Sequence, residues 1–61
     1  MHLIIGKTYK VSDGETTIPA YLLTMAPGIY RFRSAQDGLD FEVYQTDLDE
    51  GTFSLQALPE N

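Results

Sequence analysis

Ile29-Tyr30-Arg31-Phe32-Arg33, then Ala35-Gln36-Asp37-Gly38, then Leu39-Asp40-Phe41-Glu42-Val43-Tyr44: the reading of this stretch decides the fold. It alternates apolar and charged residues on both sides of a turn signal, the pattern of a β-hairpin with one buried and one wet face. Its basic residues lie on the first strand and its acidic residues on the second. Residues directly opposite in an antiparallel pair share a face. A four-residue loop at 35–38 sets Phe32 against Phe41, Tyr30 against Val43, Arg33 against Asp40 and Arg31 against Glu42. A two-residue Asp37-Gly38 turn shifts the register by two and keeps every face. A slip by one sets Arg opposite Phe throughout, so the pattern itself specifies the pairing. Exposed ion pairs of this kind are individually weak. Their larger role here is to fix register.

Working outward, turn signals recur at Ser12-Asp13-Gly14-Glu15, Ala26-Pro27-Gly28 and Thr46-Asp47-Leu48-Asp49-Glu50-Gly51. Gly supplies positive φ and Asp bonds its own backbone at such places. Short strands between evenly spaced turns point to an all-β sandwich or barrel. The first strand spans Ile4 to Val11, with a bulge expected at Gly6-Lys7 where the apolar parity breaks. The run Thr16 to Met25 reads two ways. Thr17 as N-cap and Pro19 in the first turn fit a short helix, whereas Thr16, Thr17, Ile18 and Tyr21 favour a strand, the preferred reading. As a strand, Pro19 is expected at an edge or a bulge. In the last strand, Thr52 to Leu58, Phe53, Leu55 and Ala57 face in. Leu48, set among acids, is expected to be pinned into the end of the barrel by a short 3₁₀ turn.

The 61 residues make one domain, and 43% of them are apolar, enough for a folded core. A chain this short buries about 60% of its unfolded surface, and its stability is expected to be on the order of 3–5 kcal/mol. It has no cysteine, so no disulfide or thiolate-bound metal supports it. The net charge is −5, unevenly spread: residues 1–33 carry +2, while residues 34–61 carry −7 and no base at all. Nucleic-acid backbones reward clustered Lys and Arg, so nucleic acid is a disfavoured partner and a protein with a basic patch the better one. The opening residues lack the basic region of a signal peptide, and no apolar run is long enough to cross a bilayer, so a cytoplasmic location without membrane contact is expected.

Catalytic constellations are mostly absent from the sequence. The single histidine is His2, beside a terminus, so neither a Ser-His-Asp nor a Cys-His set can form. Asp40 and Glu42 fall on a wet strand face opposite arginines, where nothing raises a pKa for general-acid work. Asp47-Leu48-Asp49-Glu50-Gly51 lacks the spacing and closing Glu of a calcium loop. Gly6-Lys7-Thr8 has the end of a phosphate-binding loop without its upstream Gly. No enzyme activity, metal or cofactor is expected. Tyr30-Arg31-Phe32-Arg33 has the composition of a single-strand-binding surface, but its aromatics point inward and its arginines outward.

What remains is protein binding. Tyr44 shares a face with Asp40 and Glu42, and Tyr and Arg are frequent interface anchors. The candidate contact surface is therefore Arg31, Arg33, Asp40, Glu42 and Tyr44.

The opening Gly6-Lys7-Thr8-Tyr9-Lys10-Val11, followed by Asp13-Gly14, resembles the first strand of small phage or prophage proteins and other bacterial SH3-like barrels. The resemblance implies a small, partly open five-stranded SH3-like barrel of antiparallel strands. It also implies a phage-type accessory protein that binds and inhibits a host protein, such as a nucleic-acid-handling or defence protein. The acidic-aromatic motif of eukaryotic signalling SH3 domains is missing, so Pro-rich ligands are not implied. The alternatives are an assembly subunit that forms a homo-oligomer through a strand edge, and a nucleic-acid-binding barrel.

Overall fold

The computed structural model describes residues 2–58. The alternating segments form five strands: β1 (Thr8–Ser12), β2 (Thr17–Ala26), β3 (Ile29–Ser34), β4 (Asp40–Tyr44) and β5 (Ser54–Ala57). One short helix, α1 (Gln45–Glu50), joins β4 to β5. The strands make a single antiparallel sheet in the order β4-β3-β2-β1-β5. The expected all-β, five-stranded antiparallel architecture is present, and it is open. β4 and β5 are the two edges and share no ladder, so the sheet does not close into a barrel.

One face of the sheet carries the core. Tyr9 and Val11 of β1, Ala20 and Leu22 of β2, Phe32 of β3, Val43 of β4 and Leu55 of β5 are buried, together with Leu3. Because β5 pairs with β1 and β4 lies at the far edge, the sheet curls so that this face closes on itself; Ile18, Tyr30, Phe41, Leu48 and Phe53 pack around it. Phe32, Leu22 and Val43 are fully buried. Complete burial of side chains of this size contributes about 1.5–3 kcal/mol each.

The β3–β4 register is the one expected with a four-residue loop, one of the two that keep every face: Phe32 opposite Phe41, Tyr30 opposite Val43, Arg33 opposite Asp40, Arg31 opposite Glu42. The loop is the four-residue form. The Ser34 N–H donates to Leu39 O at 2.9 Å and the Gly38 N–H to Ser34 O at 2.9 Å, which excludes the two-residue turn.

Residues 17–26 are a strand, as preferred, but Pro19 is not at an edge. It pairs with Lys10 in the β1–β2 ladder, on a strand flanked on both sides. Its carbonyl accepts from Ala35 N–H at 2.9 Å, so its main-chain polar edge faces β3. In an antiparallel ladder the N–H and C=O of a residue point the same way. The missing donor thus falls opposite Ala35, one residue past the end of β3, so its loss is confined to the end of the ladder.

Four further expectations are corrected. β1 begins at Thr8 and not at Ile4, because Ile5-Gly6 is a turn, with Gly6 at φ 90° and Lys7 N–H bonded to Ile4 O. The bulge lies instead in β2, between Leu22 and Thr24. The segment holding Leu48 is an α-helix, not a 3₁₀ turn. Gly51 at φ 83° lets its N–H reach Leu48 O and the Thr52 N–H reach Asp47 O, the paired closure of a Schellman end. Finally, Ala57 shares the parity of Leu55 but is exposed at the end of an edge strand.

Candidate functional site

The outer face of β2, β3 and β4 gathers the residues singled out by the sequence. Strand pairing lays them in rows: Tyr21, Arg33 and Asp40; then Thr24, Arg31 and Glu42; then Ala26, Ile29 and Tyr44. The Arg33 Nε donates to Asp40 Oδ1 at 2.8 Å, and the Arg31 Nη2 to Glu42 Oε2 at 3.4 Å. Both pairs are open to solvent, with about half of each arginine side chain exposed (52% for Arg31, 51% for Arg33). The hydrogen bond from Arg33 holds the Asp40 carboxyl below the usual carboxylate range, and the same bond raises the Arg33 guanidinium. Tyr44 is 44% exposed at one corner of this surface.

Sequence reasoning missed Tyr21, which is also 44% exposed. It stands beside Arg33 at the corner diagonal to Tyr44. Counting back from the Pro27-Gly28 turn without interruption pairs Tyr21 with Ser34 and turns it inward. The bulge at Leu23 reverses that parity and brings Tyr21 out beside Arg33.

A second feature lies on the opposite side of the sheet, at the unpaired seam. Phe41 from β4 and Phe53 from the approach to β5 line a cavity of about 240 Å³ together with Val11 and Ile18, and the exposed Asp13 and Thr16 stand at its rim. The rim is rigid. Asp13 Oδ1 accepts from the Thr16 and Glu15 N–H groups at 2.8 and 2.9 Å, and these bonds hold its carboxyl below the ordinary range. A smaller cavity of about 210 Å³ lies between Leu3, Tyr30, Gln45, Leu48 and Asp49. There the Tyr30 hydroxyl donates to Gln45 Oε1, and Gln45 Nε2 donates to Asp49 Oδ1 at 2.9 Å.

Among the described residues no three His, Cys, Asp or Glu side chains converge to hold a metal ion. No helix among them is long and apolar enough to cross a membrane. No family model, curated protein or solved structure matches the chain.

Proposed function

We propose that this chain is a non-enzymatic, cytoplasmic protein-binding module that engages its partner through the outer face of β2–β4. The observation that carries this reading is the pair of half-exposed tyrosines, Tyr21 and Tyr44, framing Arg31, Arg33, Asp40 and Glu42 on one rigid sheet surface. Tyr supplies large, stiff contact area with a polar tip, and Arg a planar donor fork; both are enriched at binding hot spots. The charge of −7 over residues 34–61 favours a partner with a basic patch. Nucleic acid is a poorer occupant, because both arginines of the face are bonded to carboxylates. The resemblance of residues 6–14 to phage and bacterial small barrels supports a narrower form of the proposal: an accessory protein that inhibits a host nucleic-acid-handling or defence protein.

The test is affinity capture from bacterial lysate with the parent chain and with Tyr21→Ala, Tyr44→Ala and Arg31→Glu. Loss of the same captured protein with all three supports the reading; its retention by all three refutes it. A second reading, self-assembly through a strand edge, is favoured by the unpaired edge of β5. Light scattering decides it by a mass that rises with concentration.

A further inference from the structure

The cavity at the seam and the free edge of β4 are neighbours, and together they define a second surface. Gln45 N–H donates to Gly28 O and Ser34 N–H to Leu39 O. Bonded pairs alternate along an antiparallel ladder. Leu39, Phe41 and Val43 therefore spend their main-chain groups on β3, and Asp40, Glu42 and Tyr44 turn theirs away from it. That leaves the N–H and C=O groups of Asp40 and Glu42 and the N–H of Tyr44 along the sheet edge, with no strand of the described residues beyond them. On the inner side of the same edge, Phe41 forms one wall of the apolar cavity shared with Phe53.

We infer that the seam is a docking groove for an extended, basic-apolar segment of a partner protein, which adds as a strand to β4 and drops one apolar side chain into the cavity. Strand addition supplies main-chain hydrogen bonds, and pockets for alternate side chains supply specificity. The cavity has room for one side chain of leucine or phenylalanine size. On the added strand the neighbouring residues point outward, beside Asp40 and Glu42. Asp13 on the rim adds a further carboxylate, and residues 34–61 carry seven acids and no base. Lys or Arg at the alternate positions meets that charge. A second copy of this chain is a poor occupant: two β4 edges paired together bring Asp40 and Glu42 of both copies onto one face, and like charges across strands are destabilising.

The inference rests on the reading of the chain as a protein-binding module, but engages the free edge of β4 and the inner seam, meeting the outer face only at Asp40, Glu42 and Tyr44. It is tested by NMR titration of the full chain with a synthetic ten-residue peptide of alternating lysine and leucine. Two control peptides accompany it, one with glutamate for lysine and one with alternate backbone amides N-methylated. The expected result is shifts at the amides of Asp40, Glu42, Tyr44 and Phe53, with affinity falling roughly tenfold or more for each control peptide. Thr16→Trp, which plugs the cavity mouth from an exposed position, weakens binding similarly, while Tyr21→Ala on the outer face does not. No shifts at millimolar peptide overturn the inference, as does equal binding of the N-methylated peptide. Shifts at these amides on concentrating the protein alone assign the edge to self-association and also overturn it. Loss of lysate capture by Tyr21→Ala with intact peptide binding separates the two surfaces.

Discussion

The rings of Phe32 and Phe41 stack across β3 and β4, with centroids 5.7 Å apart and planes inclined by 15°. Phe32 is fully buried and also meets the edge of Tyr9 at 6.3 Å, while Phe41 is half-buried at the wall of the seam cavity. One aromatic pair thus links the core to the cavity. Phe32→Ala is expected to cost about 3–5 kcal/mol, comparable with the whole stability expected of a chain this small. Urea titration followed by circular dichroism should find that variant largely unfolded and Phe41→Ala folded but weaker. A Phe32→Ala chain as stable as the parent would refute the placement of the core.

Acid should destabilise the protein through two carboxylates. Asp13 is held by the N–H groups of Thr16 and Glu15, and Asp40 by Arg33; both are lowered from the ordinary value of 3.8. A depressed carboxyl contributes stability above its unfolded pKa and loses it as pH falls through the folded one. Melting temperature should hold level from neutral pH down to about 5 and decline below about 4. Asp13→Asn keeps an acceptor oxygen in the turn but removes its charge, so its acid decline should be shallower than that of the parent.

Gly51 ends α1 at φ 83° with open space around its Cα. Gly51→Ala therefore meets no clash with a neighbour, only the left-handed backbone penalty of about 1–2 kcal/mol. The expected readout is a lower urea midpoint with an unchanged slope. An unchanged midpoint would show that the turn relaxes at no cost.

The cross-strand pair can be reversed. Arg33→Asp sets two carboxylates opposite one another and should lower the melting temperature; adding Asp40→Arg should restore most of it. Raising salt should shrink the difference between the single and double variants. If the double variant melts no higher than the single one, the pair does not help to fix the register.

The faces of the β3–β4 hairpin were legible residue by residue, because charge and hydrophobicity alternate together and a slip by one breaks both; the choice between the two loop lengths came from the structure. The faces of β2 were not legible. Tyr21-Leu22-Leu23 is apolar on consecutive positions, so it selects no face, and the bulge that decides the matter leaves no trace in composition. Tyr21 was lost from the candidate site for that reason. Pro19 misled because a missing donor matters less at the end of a ladder, and that depends on where β3 ends. The cavity was equally hidden: Phe41 and Phe53 each read as core, and only the unpaired seam makes them two walls of an opening.

The β1–β5 ladder, which sets Val11 against Leu55, joins the distant ends of the described chain, whereas every other ladder joins neighbours in sequence. Pairings between distant residues carry the larger loop-closure cost and tend to form late. Phe53 reaches its place only with β5, so the groove exists only once the final strand has docked. A segment seated there would act as a clasp: by binding only the assembled state it would hold closed the part of the molecule that opens first. Native-state hydrogen exchange should show this as β5 amides that exchange faster than those of β2 and β3 and slow when the groove is filled.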